Sequence, residues 1–388
     1  MRVAAVEPVI VSVPYKRREV SAVVARDGVT DVLVRVTTDD GLVGWGEACS
    51  GADAASVEAA VRAMEPLVLG RDPWNRDAVR ADLYHGALWQ FRPMTGNFAF
   101  AGIDMALADL CGKACGQPLY RLFGGLRRRE ASYFYYLARG ADEDLRSQVA
   151  DGLAAGFEVF YLKVGLEIAA DLRMVRIVRE ALGEGPRLRI DVNGAWSAAE
   201  AKRNLARFEP YGIDFCEQPV RESPLEQMAE LRRQSPIPLA ANEGLWTEDD
   251  VWARIEARAQ DVVCFSPYWV GSLLAFQRLS YLAALAGMEV CKHTHGELGV
   301  AAAAAHHLVL TLPSVVEGHQ QTAYLMRHDV LREPLPIASG PRWGVPDGPG
   351  LGVEVDEDAV AEAAARYRTD GQYLPWRAET IAKEEARR

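Results

Sequence analysis

The feature that most limits what this chain can fold into is a rhythm. From about Ala131 onward, short apolar runs alternate with amphipathic helical stretches. "ASYFYYLA" precedes "DEDLRSQVADGLAAG", "EVFYLKVG" precedes "AADLRMVRIVREALG", and "RLRIDVN" precedes "SAAEAKRNLARFEPYG". The series continues through "IDFCEQP", "IPLAANE", "DVVCFSP" and "MEVCKHTHGELG", and "SVVEGHQ" is an eighth apolar run. Polar residues near the strand ends keep step. Lys163, Asp191, Glu217, Glu243, Ser266 and His295 follow one another at intervals of 28, 26, 26, 23 and 29 residues. Parallel strands need a crossover of about this length, and eight such units close a barrel.

The first third reads differently. "MRVAAVEPVIVSVPY" and "VTDVLVRVTTDDGLVGWGEA" alternate as strands do, and helical patterns follow in "DAASVEAAVRAMEPLVLG" and "AFAGIDMALADLCGKACG". Strands first and helices afterwards predict a small α+β domain. The expected organisation is α/β. An N-terminal α+β capping domain spans residues 1–128 and the barrel spans 129–335. A turn-rich segment, 336–388, containing "GVPDGPGLGVEVDED", returns to the cap.

Composition narrows the function. A chain of 388 residues with net charge -11 is a poor partner for nucleic acid or an anionic membrane surface. No stretch reaches the ~18 uninterrupted apolar residues of a membrane span, and the N-terminus lacks the continuous apolar core of a signal peptide. The six cysteines are scattered without a CxxC pair, which fits a reducing cytoplasm better than a disulfide framework.

A parallel barrel carries its active site at the C-terminal ends of its strands. Asp191, Glu217 and Glu243 occupy corresponding places in three successive units. Three anions meeting in one mouth repel one another unless a cation joins them, and an all-oxygen set suits a hard divalent ion such as Mg²⁺. Lys163 ends the preceding strand. Side chains alternate faces along a strand, so Tyr161 and Lys163 share the lumen side. A lysine partly desolvated beside a divalent cation is expected to have its pKa pushed down, so that it can act as a base. His293 and His295, two apart on the seventh unit, are candidates for an acid on the opposite wall. Glu317 and His319 repeat that spacing on the eighth and are candidates for contacts to a substrate carboxylate. A cation holding a carboxylate, with a base beside its α-carbon, defines abstraction of an α-proton through a stabilised enediolate.

With these residues in place, the chain resembles the enolase superfamily, in its mandelate racemase / muconate lactonizing branch. The resemblance covers nearly the whole chain through "GIDMALADLCGKACGQPLYRLFGG", "YLKVG", "DVNGAW", "CEQP", "ANEG" and "VPDGPGLGVEVD". It implies a capping domain over a modified (β/α)7β barrel of the TIM type, Mg²⁺, and enolisation of a small-molecule carboxylate. It also implies that cap loops, here near residues 15–30 and 50–55, close over the substrate. "WQFRPMTGN", Trp89 to Asn97, is a further candidate for the pocket wall or a buried connection.

Departures from the branch shape the expectation. Lys163 matches the second lysine of a Lys-x-Lys pair whose first position is here Tyr161. The third metal ligand falls on Asn242 in one type and Glu243 in the other, and Glu243 is preferred because a carboxylate binds Mg²⁺ better than an amide. Ser266 stands where related chains hold an Asp or a Lys. Tyr161, Asn193, Ser266, Glu317 and His319 are the candidate substrate contacts. The expected enzyme is a lyase that dehydrates a hydroxy or sugar acid, with cycloisomerisation of a muconate-like acid or lactone, then racemisation, as alternatives. A non-catalytic ligand-binding relative is the reading from another class. A homo-oligomer is expected.

Overall fold

The computed structural model describes residues 1–23, 25–49, 53–86 and 94–373. The N-terminal sheet has three antiparallel strands in sequence order: β1 (Val3–Val20), β2 (Ala25–Thr38) and β3 (Val43–Ala48). The helix Met94–Cys115 lies on β3. The close approach depends on glycine. A methyl group at Gly44 would strike the Ala106 carbonyl, and one at Gly46 the Gly102 carbonyl. The helix is buried on nearly every side from Gly96 to Gly112, which is why its sequence shows little amphipathic period.

Beyond β4 (Glu130–Ser132), seven parallel strands follow in spatial order: β5 (Tyr135–Leu137), β6 (Val159–Lys163), β7 (Arg187–Asp191), β8 (Ile213–Glu217), β9 (Leu239–Ala241), β10 (Val262–Phe265) and β11 (Glu289–Lys292). Residues 315–319 close the ring as its eighth member. Val315 bridges to Val290 of β11, and His319 bridges to Tyr133 just before β5. A helix follows each of the first seven strands, so the (β/α)7β expectation describes the architecture. β12 (Arg342–Gly344) pairs with β4 outside the barrel. The last described helix, Glu357–Asp370, packs on β1.

Strand alternation sets the layers of the lumen. Phe215, Ala240, Val262, Cys264, Cys291 and Val316 form a compact buried plug. On β8 and β7, Phe215 and Arg189 stand two residues before Glu217 and Asp191, so the acids sit above a closed floor.

The cap reaches the mouth by a different device from the one expected. Residues 15–30 are not an irregular loop. β1 runs on to Val20 and β2 starts at Ala25, with Glu19 facing Arg26 across the hairpin after a register shift. The pairing carries two charged side chains out over the barrel. Of the second expected loop, residues 50–52 lie outside the described residues, as do Trp89 to Pro93 of "WQFRPMTGN".

Candidate active site

Lys163, Asp191 and Glu217 stand in register on neighbouring strands: Lys163 pairs with Asp191, and Asp191 with Glu217. Each ends its strand, so parallel pairing alone brings the three side chains to one rim. Lys163 Nζ lies 2.5 Å from Asp191 Oδ2 and 3.1 Å from Asn193 Oδ1. Asn193 is an intermediary. Its Nδ2 donates to Glu243 Oε1 at 3.0 Å, and its backbone N–H donates to Asp191 Oδ1 at 2.7 Å. It adopts a left-handed backbone (φ 49°) that turns the chain sharply after the strand.

Gln218, also left-handed (φ 38°), does the corresponding work for Glu243. Its Oε1 accepts from the backbone N–H of Asn242 at 2.9 Å and of Glu243 at 3.1 Å. Gln320 holds Glu217, donating to Oε2 at 2.7 Å, while its own Oε1 accepts from Thr294 N at 3.3 Å.

Asp191 and Glu217 are fully buried and Glu243 is half-buried, and the set is incompletely matched. Glu217 Oε1 and Glu243 Oε2 have no hydrogen-bond partner among the described residues. Burial, reinforced by the charge of Asp191, raises the Glu243 pKa to about 7 and Glu217 well above the usual carboxylate range. Buried carboxylate oxygens without donors are the mark of a cation site, and an all-oxygen set fits Mg²⁺. Beside Glu243, the Asn242 side-chain N–H donates to the Cys264 carbonyl at 3.3 Å. The protein's own charges act on Lys163 against burial. Burial pulls its pKa down, but Asp191, Glu217 and Glu19 outweigh burial and hold the ammonium above its ordinary value.

Another cluster satisfies a simpler geometric test for a metal: Asp31, Glu47 and Cys49 bring ligand atoms within 4.8 Å of one another, a spacing that the three strand-end acids do not meet. The cluster is nonetheless a joint. Both Glu47 oxygens accept from the start of the helix Gly299–Val309, Oε1 from Leu298 N at 2.7 Å and Oε2 from Ala301 N at 2.8 Å. A cap strand thereby caps a barrel helix.

A cavity of about 390 Å³ opens above Lys163. Lys163, Asn193, Asn242 and Glu243 form one side. His293, His295, Trp246 and Trp269 stand on another, with Phe98 and Met94 from the cap helix. The hairpin adds Glu19 and Arg26, joined at 2.6 Å. Burial holds His295 down at about 3 and His293 well below its ordinary value. The Trp269 indole N–H donates to His295 Nδ1 at 3.1 Å, and His295 Nε2 has no partner among the described residues.

Four of the expected substrate contacts are absent from the cavity lining. Tyr161 lies beneath it and donates to Asp191 Oδ2, the oxygen shared with Lys163. Ser266 is fully buried. Glu317 is exposed and accepts from Ser132. His319 is buried beside Tyr133 and accepts from Lys292 N at 3.0 Å. The physical reason is register. His319 pairs with Tyr133, before the start of β5, so the eighth segment reaches the rim only at Gln320 and beyond. Asn193 alone of that group lines the cavity. Asn97 of "WQFRPMTGN" is buried away from it, with its Nδ2 bound to the Trp246 and Trp269 carbonyls. Sequence reasoning gave no role to Gln218, Gln320, Trp269, Glu19 or Arg26. Only Gln218 carried a signal, as the neighbour of a ligand in "CEQP".

Comparison with known proteins agrees with this geometry. Residues 5–124 match the N-terminal domain of mandelate racemase / muconate lactonizing enzyme, and residues 144–359 match the enolase C-terminal domain-like family. The chain is 34% identical to D-galactarolactone cycloisomerase of Agrobacterium fabrum, over 85% of this chain and 90% of that protein. It is 30% identical to D-galactonate dehydratase of Xanthomonas oryzae pv. oryzae, over 86% and 90%. The muconate lactonizing enzyme of Pseudomonas fluorescens, solved with muconolactone, superposes with a TM-score of 0.86 at 28% identity, covering 93% of this chain and 99% of that one. The relatives are enzymes, named as dehydratases, cycloisomerases and racemases or epimerases. The chain is therefore an enzyme of the enolase superfamily and belongs to its mandelate racemase / muconate lactonizing branch.

Proposed function

We propose that this enzyme takes the α-proton from a polyhydroxylated carboxylic acid with Lys163 and then expels the β-oxygen, a dehydration that leaves a 2-oxo-3-deoxy acid. The observation that carries the reading is the contact of Lys163 with Asp191 and Asn193 at the edge of a cavity whose other carboxylates have unmatched oxygens. Mg²⁺ held by Asp191, Glu217 and Glu243 would offset the anionic field that keeps Lys163 protonated and stabilise the charge of the enediolate. Lys163 Nζ takes the proton, and the C–H electron pair moves into the enediolate. The pair then forms the Cα=Cβ bond as the β C–O bond breaks, the departing hydroxide takes up a proton that balances the one removed by Lys163 and leaves as water, and the resulting enol ketonises to the 2-oxo acid. His293 and His295 both line the same cavity.

The cavity favours hydroxyls over a second carboxylate. Arg26 is matched by Glu19 at 2.6 Å, so it offers little net charge to another anion. Ser21, Asp53 and Thr95 on the cap side suit a chain of hydroxyl groups. Cycloisomerisation of a sugar lactone is the second reading, favoured by the similarity to D-galactarolactone cycloisomerase. It uses the same base and breaks the same β C–O bond, with a ring carboxylate as the leaving group.

Screening aldonic acids, aldaric acids and their lactones with Mg²⁺ tests the proposal. Release of a 2-oxo acid from an open-chain hydroxy acid supports it. Ring opening of lactones alone moves the assignment to the second reading. Turnover confined to inversion at the α-carbon overturns both.

A further inference from the structure

The Trp269–His295 contact decides what the far wall can do, and this inference rests on the function proposed above. Indole Nε1 always carries its hydrogen and can only donate. Its approach to His295 Nδ1, at 3.1 Å, therefore requires that nitrogen to accept. The single ring proton of a neutral imidazole then sits on Nε2, the atom without a protein partner. The ring is held in this pose. Tyr268 meets it edge-on with centroids 5.0 Å apart, and Phe98 does so at 5.5 Å. Its backbone is fixed as well. Arg26 donates to the His295 carbonyl, and His295 N donates to the Tyr268 hydroxyl at 3.3 Å.

Around His295 the charged neighbours oppose a contact to the Cys49 backbone, which favours the charged ring. Arg26 from the cap and Lys292 from β11 both oppose a positive charge on His295, and His293 stands 6.0 Å away between ring centroids. A carboxylate on Nδ1 would do the opposite, accepting a proton there and making Nε2 basic.

We infer that Trp269 is a positioning residue that fixes His295 as a neutral Nε2–H imidazole and not a base. Removal of the α-proton then falls to Lys163 and not to His295.

Nitrogen-15 NMR of histidine-labelled, ligand-free protein tests the tautomer directly and does not depend on the substrate or on Lys163. The expected spectrum of His295 has an unprotonated-type Nδ1 and a protonated-type Nε2, unchanged from about pH 8 to about pH 5. Trp269→Phe keeps the ring and removes the donor. In that variant His295 should show mixed tautomers and begin to titrate within the same range, and kcat should fall by about 10-fold with KM nearly unchanged. A wild-type His295 protonated on Nδ1, or a Trp269→Phe spectrum identical to wild type, overturns the inference. If the spectra come out as expected while the Lys163 variant still turns over substrate, the tautomer assignment stands and the proposed function fails.

Discussion

Lys163 and Asp191 are paired in register on adjacent parallel strands, and the ammonium and carboxylate meet at 2.5 Å on the rim of the barrel. The pair joins the group proposed as base to the group proposed as metal ligand. Its geometry needs no loop, only two strands of equal height. Around it, the loops after β7 and β8 turn through left-handed residues, Asn193 and Gln218, to bring Glu243 into the same set.

The metal set is testable one ligand at a time. Glu243→Gln should weaken Mg²⁺ binding strongly, whereas Asn242→Ala should leave it within a few-fold of wild type. Gln218→Ala, which frees the segment carrying Glu243, should cost about 10- to 100-fold in metal affinity. Calorimetric titration with Mg²⁺ reads all three. Equal losses in the Asn242 and Glu243 variants would move the third ligand to Asn242.

Glu47 is predicted to be a stability residue without a metal role. It accepts two backbone N–H groups at the head of the helix Gly299–Val309. Glu47→Ala leaves both donors buried and unmatched, a loss of about 3 kcal/mol readable from urea unfolding. An unchanged unfolding midpoint, or Mg²⁺ binding that follows Glu47, would contradict this.

Acid should loosen the C-terminal segment. His306 and His307 on the same helix bind the Gly344 and Leu351 carbonyls, and burial lowers their pKa values to about 3 and about 4. The unfolded chain takes up these protons near pH 6.5 and the folded chain does not. Their contribution is therefore complete above about pH 6.5 and is lost as pH falls toward the folded values. His307→Gln should show a shallower loss of stability between about pH 6.5 and about pH 4 than wild type. Parallel curves would contradict the assignment.

Much of this arrangement was legible in the sequence because it is periodic. Equal spacing between units marked Asp191, Glu217 and Glu243, and two-residue alternation placed Lys163 on the lumen face. The acid-bearing half of the site follows from those two periods. What escaped was set by register and by loops. Glu317 and His319 fit the pattern, but a strand's height in a barrel depends on its neighbours, and pairing with Tyr133 keeps His319 below the rim. The Glu19–Arg26 contribution depends on a hairpin register shift that no local pattern announces. Trp269 meets His295 only because the turn after β10 and the end of β11 converge.

The most direct measurement of the central claim follows the α-proton of a substrate by NMR in D₂O with Mg²⁺, for wild type and for Lys163→Ala. The account predicts loss or exchange of that proton with wild type, and a fall of about 10³-fold or more in the variant while the acid still binds. Removal of the α-proton by the Lys163→Ala variant at the wild-type rate would contradict it.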